Sequence, residues 1–414
     1  MRLYSFRIVL TLFAASLLIS LPAAAATRKG KAKKHAHGVA LVHKSAPKRG
    51  ERRVAAARSK SRGHYRNVSY VIPGHTASRL HARQHLYSNP YTSPTFADST
   101  TGDSVDGEDL VVRRAAVQAL GPYNGAVVVV DPTNGRILSI VNQKLALSSG
   151  FQPCSTIKLV TAVAGLSEGV ITPETSVRLS RRKSFDLTDA LAHSNNYYFA
   201  QIGDKLGFEK VARYARMMGL GEKAGWNIAG EEAGTLPDGE PKEGMGMMTS
   251  FGSGIYLTPL QLASMVAVFA NGGTLYYLQY PRSEEEVASF QPKVKRQLDI
   301  AKFVPQIKPG MNDAVEFGTA RRANYDATQP IYGKTGTCSD TRSPTHLGWF
   351  GSFNEVGDRK LVVAVLLTGG HVVNGPRASG VAGQVYKILS EQNYFGGQQT
   401  ASGEPVLATI GCCQ

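Results

Sequence analysis

Three short clusters in this chain combine residue types that can perform acyl transfer at a serine. Ser155-Thr156-Ile157-Lys158 sets a hydroxyl and an amine three positions apart, and Ser194-Asn195-Asn196 supplies a second hydroxyl and an amide. Lys334-Thr335-Gly336-Thr337 supplies a second amine and two more hydroxyls. On a helix, positions i and i+3 share a face, so the Lys158 amine can reach the Ser155 hydroxyl. A serine hydroxyl is a weak nucleophile until a neighbouring base takes its proton. A lysine can be that base only when desolvation or another cation destabilises its ammonium, and Lys334 is the candidate second cation. A helix start at Ser155 also offers free backbone N–H groups to developing negative charge. Each cluster alone has a bland reading: a solvated pair, a turn or cap, a strand loosened by glycine. All three in this order, each on the element expected of it, favour chemistry.

The elements that must position them follow from pattern. Residues 125–131 read as a buried strand, Pro132-Thr133-Asn134-Gly135 as a turn, and residues 136–141 as a second strand, which makes a hairpin. Residues 153–166 read as a helix with Ile157, Val160, Val163 and Ala164 on one face, stopped near Gly169. Residues 186–275 look mainly helical, with 208–218 as one candidate and 258–271 as another. The second opens on Thr258 as N-cap with Pro259 at the first helical position. Strands are expected over 331–338, 347–353 and 361–368, then a helix over 379–389. The order is not a repeating βαβ pattern. It implies an α+β fold, an α/β sandwich with about five mostly antiparallel strands flanked by helices, and a helical subdomain.

Charge is unevenly spread. The chain of 414 residues carries a net charge of +16, yet residues 27–86 hold 16 Lys and Arg against the single acid Glu51. With Arg2 and Arg7 also set aside, residues 87–414 sum to −1. The basic stretch shows no sustained apolar period and cannot bury enough surface to offset its ordering entropy. Residues 27–109 are therefore expected to be a disordered basic tether, a spacer with weak attraction to an anionic envelope surface. No nucleic-acid partner is expected. Residues 1–26 read as an export signal: Arg2 and Arg7, an apolar run from Ile8 to Leu21, and small residues at Ala23 to Ala26. The alternative is an uncleaved membrane anchor over residues 8–26. Either way the body, residues 110–395, belongs outside the cytoplasm, in the periplasm or an equivalent compartment, with 396–414 as a tail. Four cysteines are too few to be the scaffold of a chain this long.

The three clusters and their surroundings resemble the transpeptidase domain of penicillin-binding proteins, within the wider serine β-lactamase and D,D-peptidase family. The likeness runs from about Asn124 to Leu389. Ala126 to Gly135 resembles the family's entry hairpin, Gly252 to Ala263 its glycine-rich turn and following helix, Glu316 to Ala320 the segment before the K-T-G strand, and His346 to Phe353 the next strand. The resemblance implies that Ser155 attacks the penultimate D-Ala carbonyl of a D-Ala-D-Ala stem peptide of peptidoglycan, with Lys158 as base. Ser194 would relay a proton to the leaving amine, and Asn196 would bind the substrate amide. Lys334 would shape the local field, and Thr335 and Thr337 would hold the carboxylate. The N–H groups of Ser155 and Thr337 would form the oxyanion hole. Gly336 belongs to the same substrate-binding strand. An amine acceptor gives cross-linking and water gives D,D-carboxypeptidase activity; β-lactam antibiotics are the other expected partners. No metal or cofactor is implied, and no Cys/His cluster has ligand spacing.

The family usually has Gly before the nucleophile, where this chain has Cys154. Cys338 follows Lys334 by four residues, and a similar pairing in the serine carbapenemase branch implies a Cys154–Cys338 disulfide; two buried thiols are the alternative. His193 is read as a packing residue, and Tyr197-Tyr198-Phe199 as core. Two rival functions remain open. A serine β-lactamase needs a base that activates water on the acyl-enzyme, and no Glu-x-x-Leu-Asn-type segment lies between the second and third clusters. A catalytically silent binding module is disfavoured by the presence of every catalytic residue.

Overall fold

The computed structural model describes residues 91–357 and 359–396. The expected export signal or anchor, the basic stretch 27–86 and the tail after Gly396 lie outside the described residues. In chain order the framework elements are α1 (Leu110–Leu120), β1 (Gly125–Val130), β2 (Ile137–Val141), α2 (Lys158–Ser167), α3 (Asn196–Leu206), α4 (Phe208–Met217) and α5 (Met245–Phe251). They continue with α6 (Pro259–Asn271), α7 (Val304–Glu316), β3 (Ile331–Ser339), β4 (His346–Asn354), β5 (Val362–Gly369) and α8 (Gly375–Glu391).

The five strands form one antiparallel sheet in the order β2-β1-β5-β4-β3. The first hairpin joins the last three strands through β1 and β5, with Val128 opposite Ala364. Both strands are buried throughout, because both faces of the sheet are covered. Their side chains alternate between two cores. Val128, Ala364 and Leu366 face the layer that holds α2 and α6, while Val127, Val129, Val363 and Val365 face α1 and α8. This is the expected α/β sandwich, and α3, α4 and α5 build the helical subdomain beside it.

Local chemistry explains the bounds. The Thr258 hydroxyl accepts from the Gln261 N–H while the Gln261 side chain accepts from the Thr258 N–H, a reciprocal cap that starts α6 where Thr-Pro predicts it. Helix α8 begins four residues earlier than expected, because Asn374 caps it by accepting from the Arg377 N–H. Helix α7 is not expected from pattern. It carries Pro309 in its interior, a helix-breaking signal that its packing against the S-x-N region overrides.

The folded body also starts earlier than the tether reading supposes. Residues 91–109 lie on the sandwich: the Thr92 N–H donates to the Pro344 carbonyl, and Phe96 bridges to Tyr123. Asp103 accepts from the Asn142 and Gln143 N–H groups and pairs with Arg113 at 2.7 Å. Glu108, buried, accepts from Ser139 and from the Ile140 N–H. The polar, Gly- and Pro-rich composition reads as linker because most of its partners lie far along the chain. Arg113 stands between both acids. Arg113→Ala is expected to leave two buried carboxylates without their cation and to cost about 3–5 kcal/mol, measured by urea unfolding.

Candidate active site

Segment 154–157 is a tight 3-10 turn that feeds directly into α2, so Ser155 and Lys158 stand on one face of the same helix start. The Lys158 Nζ lies 2.6 Å from Ser155 Oγ, 2.8 Å from Asn196 Oδ1 and 2.6 Å from the Ser250 carbonyl oxygen. Ser250 sits in the last turn of α5, where helical carbonyls have no intrahelical partner. The same helix end takes the Thr161 hydroxyl on Thr249 O, so α2 is fastened to α5 at two points one turn apart. A neutral lysine amine has two N–H donors and one lone pair. Two carbonyl-type acceptors and one hydroxyl around Nζ suit that form, with the lone pair left for the serine proton.

Lys334 sits on the edge strand β3 and is fully buried. Its Nζ donates to Ser194 Oγ at 2.8 Å and to the Thr335 carbonyl at 3.1 Å. Burial alone lowers the Lys334 amine to about 7. Burial first, and the charge of Lys334 second, hold Lys158 well below the ordinary lysine value. Ser194 occupies the left-handed region at φ 53° between a short helix (Leu187–Ala192) and α3. Asn195 then caps α3 through the Tyr198 N–H, which puts Asn196 on the first helical position, beside Lys158. All five expected catalytic side chains thus converge: Ser155, Lys158 and Asn196 in one contact set, Ser194 and Lys334 in the other.

The nucleophile turn is pressed against β3. A Cβ added at Gly336 would meet the Pro153 carbonyl at 2.8 Å and the Cys154 Cβ at 3.2 Å, so only glycine permits this approach. Cys154 and Cys338 are joined by a disulfide, with Cα atoms 5.6 Å apart. Cys154 has φ 51°, which accounts for the glycine usual at that position in the family. Trp349 of β4 donates its indole N–H to the Gln152 carbonyl at 2.9 Å and pins the approach to the turn.

Some neighbours escape sequence reasoning. Thr335 Oγ1 donates to Thr319 Oγ1 at 2.8 Å, and the Thr319 N–H bonds Ala192 O, which links β3 to the S-x-N loop. The Gly375 N–H, at the start of α8, donates to Thr337 Oγ1 at 2.7 Å. The Glu316–Ala320 segment signalled Thr319; nothing local signalled Ser250, which acts through its backbone, or Gly375. His193 packs at the surface: it is exposed, with its ring stacked on Phe185 at 5.1 Å and tilted against Phe317 at 6.0 Å. Of the aromatic run, Tyr198 and Phe199 are core as expected, whereas Tyr197 is 53% exposed.

Known proteins share this fold. Residues 125–391 match the penicillin binding protein transpeptidase domain, and the chain belongs to that family. It is 28% identical over 293 residues to stage V sporulation protein D of Bacillus subtilis, covering 60% of this chain and 44% of that protein. It is 24% identical to peptidoglycan D,D-transpeptidase MrdA of Haemophilus influenzae, covering 63% of this chain and 52% of that protein. The chain therefore spans about half the length of these curated relatives. The solved transpeptidase domain of Burkholderia pseudomallei penicillin-binding protein 3 superposes with a TM-score of 0.59 at 20% identity, over 70% of this chain and 95% of that one. Among the described residues no helix is long and apolar enough to cross a membrane.

Two expectations follow. Between about pH 7 and the ordinary lysine value of 10.5 the unfolded chain binds more protons at Lys334 than the folded one. Stability should therefore rise with pH across that window. Lys334→Met should flatten the rise, add about 1–4 kcal/mol of stability at pH 7 and abolish acylation, as read by denaturation curves beside a labelled-penicillin assay. Separately, opening the Cys154–Cys338 bridge with reductant should slow β-lactam acylation by about tenfold or more, since small displacements of a nucleophile are costly. Alkylation and mass analysis would confirm which thiols were freed.

Proposed function

We propose that this protein is an exported serine D,D-transpeptidase of peptidoglycan, able to act as a D,D-carboxypeptidase when water replaces the acceptor amine. The observation that carries this reading is the Lys158 amine, held at 2.6 Å from Ser155 Oγ with two carbonyl oxygens taking its N–H groups. Lys158 takes the Ser155 proton as Oγ attacks the penultimate D-Ala carbonyl. The oxyanion forms against the N–H groups of Ser155 and Thr337. Ser194, bonded to Lys334, relays the proton taken up by Lys158 to the departing D-Ala amine; the peptide C–N bond breaks and an acyl-enzyme remains. Asn196 gives its oxygen to Lys158, so its NH₂ is the group left to hold the substrate amide. The Gly375 N–H occupies a lone pair of Thr337 Oγ1, which leaves that hydroxyl proton for the substrate carboxylate. An acceptor amine then attacks the acyl carbon and gives up a proton to Lys158, which returns it to Ser155 Oγ as the ester C–O bond breaks.

Among the described residues, the hydrogen bonds of Ser155, Lys158, Ser194 and Lys334 reach no carboxylate. That supports slow deacylation over β-lactamase turnover, which needs a base for water. Export places the domain at the wall, and the basic stretch 27–86 adds attraction to an anionic envelope surface. The test is a time course of intact mass with benzylpenicillin, for the mature protein and Ser155→Ala. One adduct that persists for many minutes and is absent from the variant is expected. Rapid drug hydrolysis without a lasting adduct would replace this reading with a β-lactamase, and neither adduct nor hydrolysis with a silent binding module.

A further inference from the structure

At the far end of β3, beyond the threonines, three parts of the chain meet. Ser339, the last residue of β3, lies opposite His346 in the ladder, and His346 lies opposite Gly369 of β5. The loop after Gly369 brings His371 to the same place, and the N-terminal segment brings Tyr91. Ser339 Oγ is 3.1 Å from the Tyr91 hydroxyl and 3.2 Å from His346 Nδ1. The Tyr91 hydroxyl is 3.3 Å from His371 Nε2, and the two imidazole rings are 5.0 Å apart. Ser339 and His371 are exposed, and Tyr91 and His346 half-buried. None of the four takes part in the acylation chemistry above.

The geometry points to a specificity subsite. We propose that Tyr91, Ser339, His346 and His371 receive the side chain of the residue preceding D-Ala-D-Ala in the donor peptide, and favour one that ends in a carboxylate. The proposal rests on the D,D-peptidase reading. In that reading the terminal carboxylate lies at the Thr335 and Thr337 hydroxyls and the scissile carbonyl at the Thr337 N–H. A donor peptide extended along the free edge of β3 must then run toward Ser339 as it is followed back from its C-terminus. Ser339 lies two residues past Thr337, about 7 Å along the strand. The preceding residue of the peptide arrives there, within reach of a diamino-acid side chain.

The cluster has the chemistry for such a group. Two hydroxyls and two imidazoles can each turn a hydrogen toward an oxygen acceptor. Among the described residues, no Asp or Glu is hydrogen-bonded to Ser339, His346 or His371. Burial first, and His371 second, hold His346 below the ordinary histidine value, and a carboxylate arriving between the rings would oppose the second influence. The strap that carries Tyr91 is fixed rather than adventitious: Thr92 N–H bonds Pro344 O at 2.8 Å, and Gly370 N–H bonds Thr95 Oγ1 at 3.0 Å. A lysine at this position of the peptide would bring an ammonium to hydroxyls and imidazoles that, among the described residues, share no hydrogen bond with a carboxylate at Ser339, His346 or His371.

Three acylated X-D-Ala-D-Ala tripeptides test this, with X as diaminopimelate, diaminopimelate amidated on its side-chain carboxylate, or lysine. Release of D-Ala is measured as kcat/KM for the full chain. The carboxylate peptide should exceed its amide by about tenfold or more, the worth of a charge-assisted hydrogen bond. Tyr91→Phe and His371→Ala should each shrink that ratio several-fold, while Phe96→Ala, on the same strap but outside the cluster, keeps it. Equal rates for all three peptides, or a ratio untouched by Tyr91→Phe and His371→Ala, overturn the subsite and leave the peptidase reading standing. A protein that neither penicillin nor any of the peptides acylates through Ser155 overturns the peptidase reading, and the subsite with it.

Discussion

The burial of the Lys158 amine is the constraint around which this molecule is organised. An ammonium without water is unstable unless it is paired, and among the described residues no carboxylate is hydrogen-bonded to it. What surrounds Nζ is a serine hydroxyl, an asparagine side-chain oxygen and a backbone carbonyl at a helix end. That environment suits a neutral amine, and a neutral amine beside a hydroxyl is a base beside its substrate proton. The helical subdomain exists in large part to supply it: α3 brings Asn196 and α5 brings Ser250. Lys334, equally buried on the opposite wall, adds a second reason for Lys158 to shed its proton.

The other wall depends on closeness. The turn carrying Ser155 sits against β3 with room for no side chain at Gly336, and the disulfide joins the residue before Ser155 to the residue after Thr337. Those two positions flank the two N–H groups assigned to the oxyanion. The bridge therefore fixes the spacing of that pair, a geometry on which electrostatic stabilisation depends steeply. A left-handed cysteine where the family has glycine is a local conformational cost, tolerated because the side chain is what makes the bridge.

Beyond the catalytic wall, the N-terminal segment changes what the domain is. Residues 91–109 are integrated into the sandwich through Arg113 and its two acids, and they end at Tyr91 on the rim of β3. Tyr91, where the described residues begin, therefore sits beside the end of β3. Charge is divided along the chain as well, with residues 87–414 summing to −1 and residues 27–86 carrying +15.

Much of this was legible without coordinates. The continuous apolar run at Val127 to Val130, the Thr-Pro start of α6 and the three clusters are local signals, because each depends on neighbours within one or two turns. The sequence by itself determined the fold class, the three clusters whose residue types could act together and the strand that carries the third of them. The tertiary structure alone decided the Ser250 carbonyl on Lys158, the Gly375 N–H on Thr337, the Thr319 link to the S-x-N loop and the meeting of Tyr91 with two histidines. It also decided that Pro309 sits inside a helix and that residues 91–109 belong to the folded body. The physical reasons are two: backbone groups carry no residue identity, and contacts between segments distant in the chain leave no periodicity for a sequence to display.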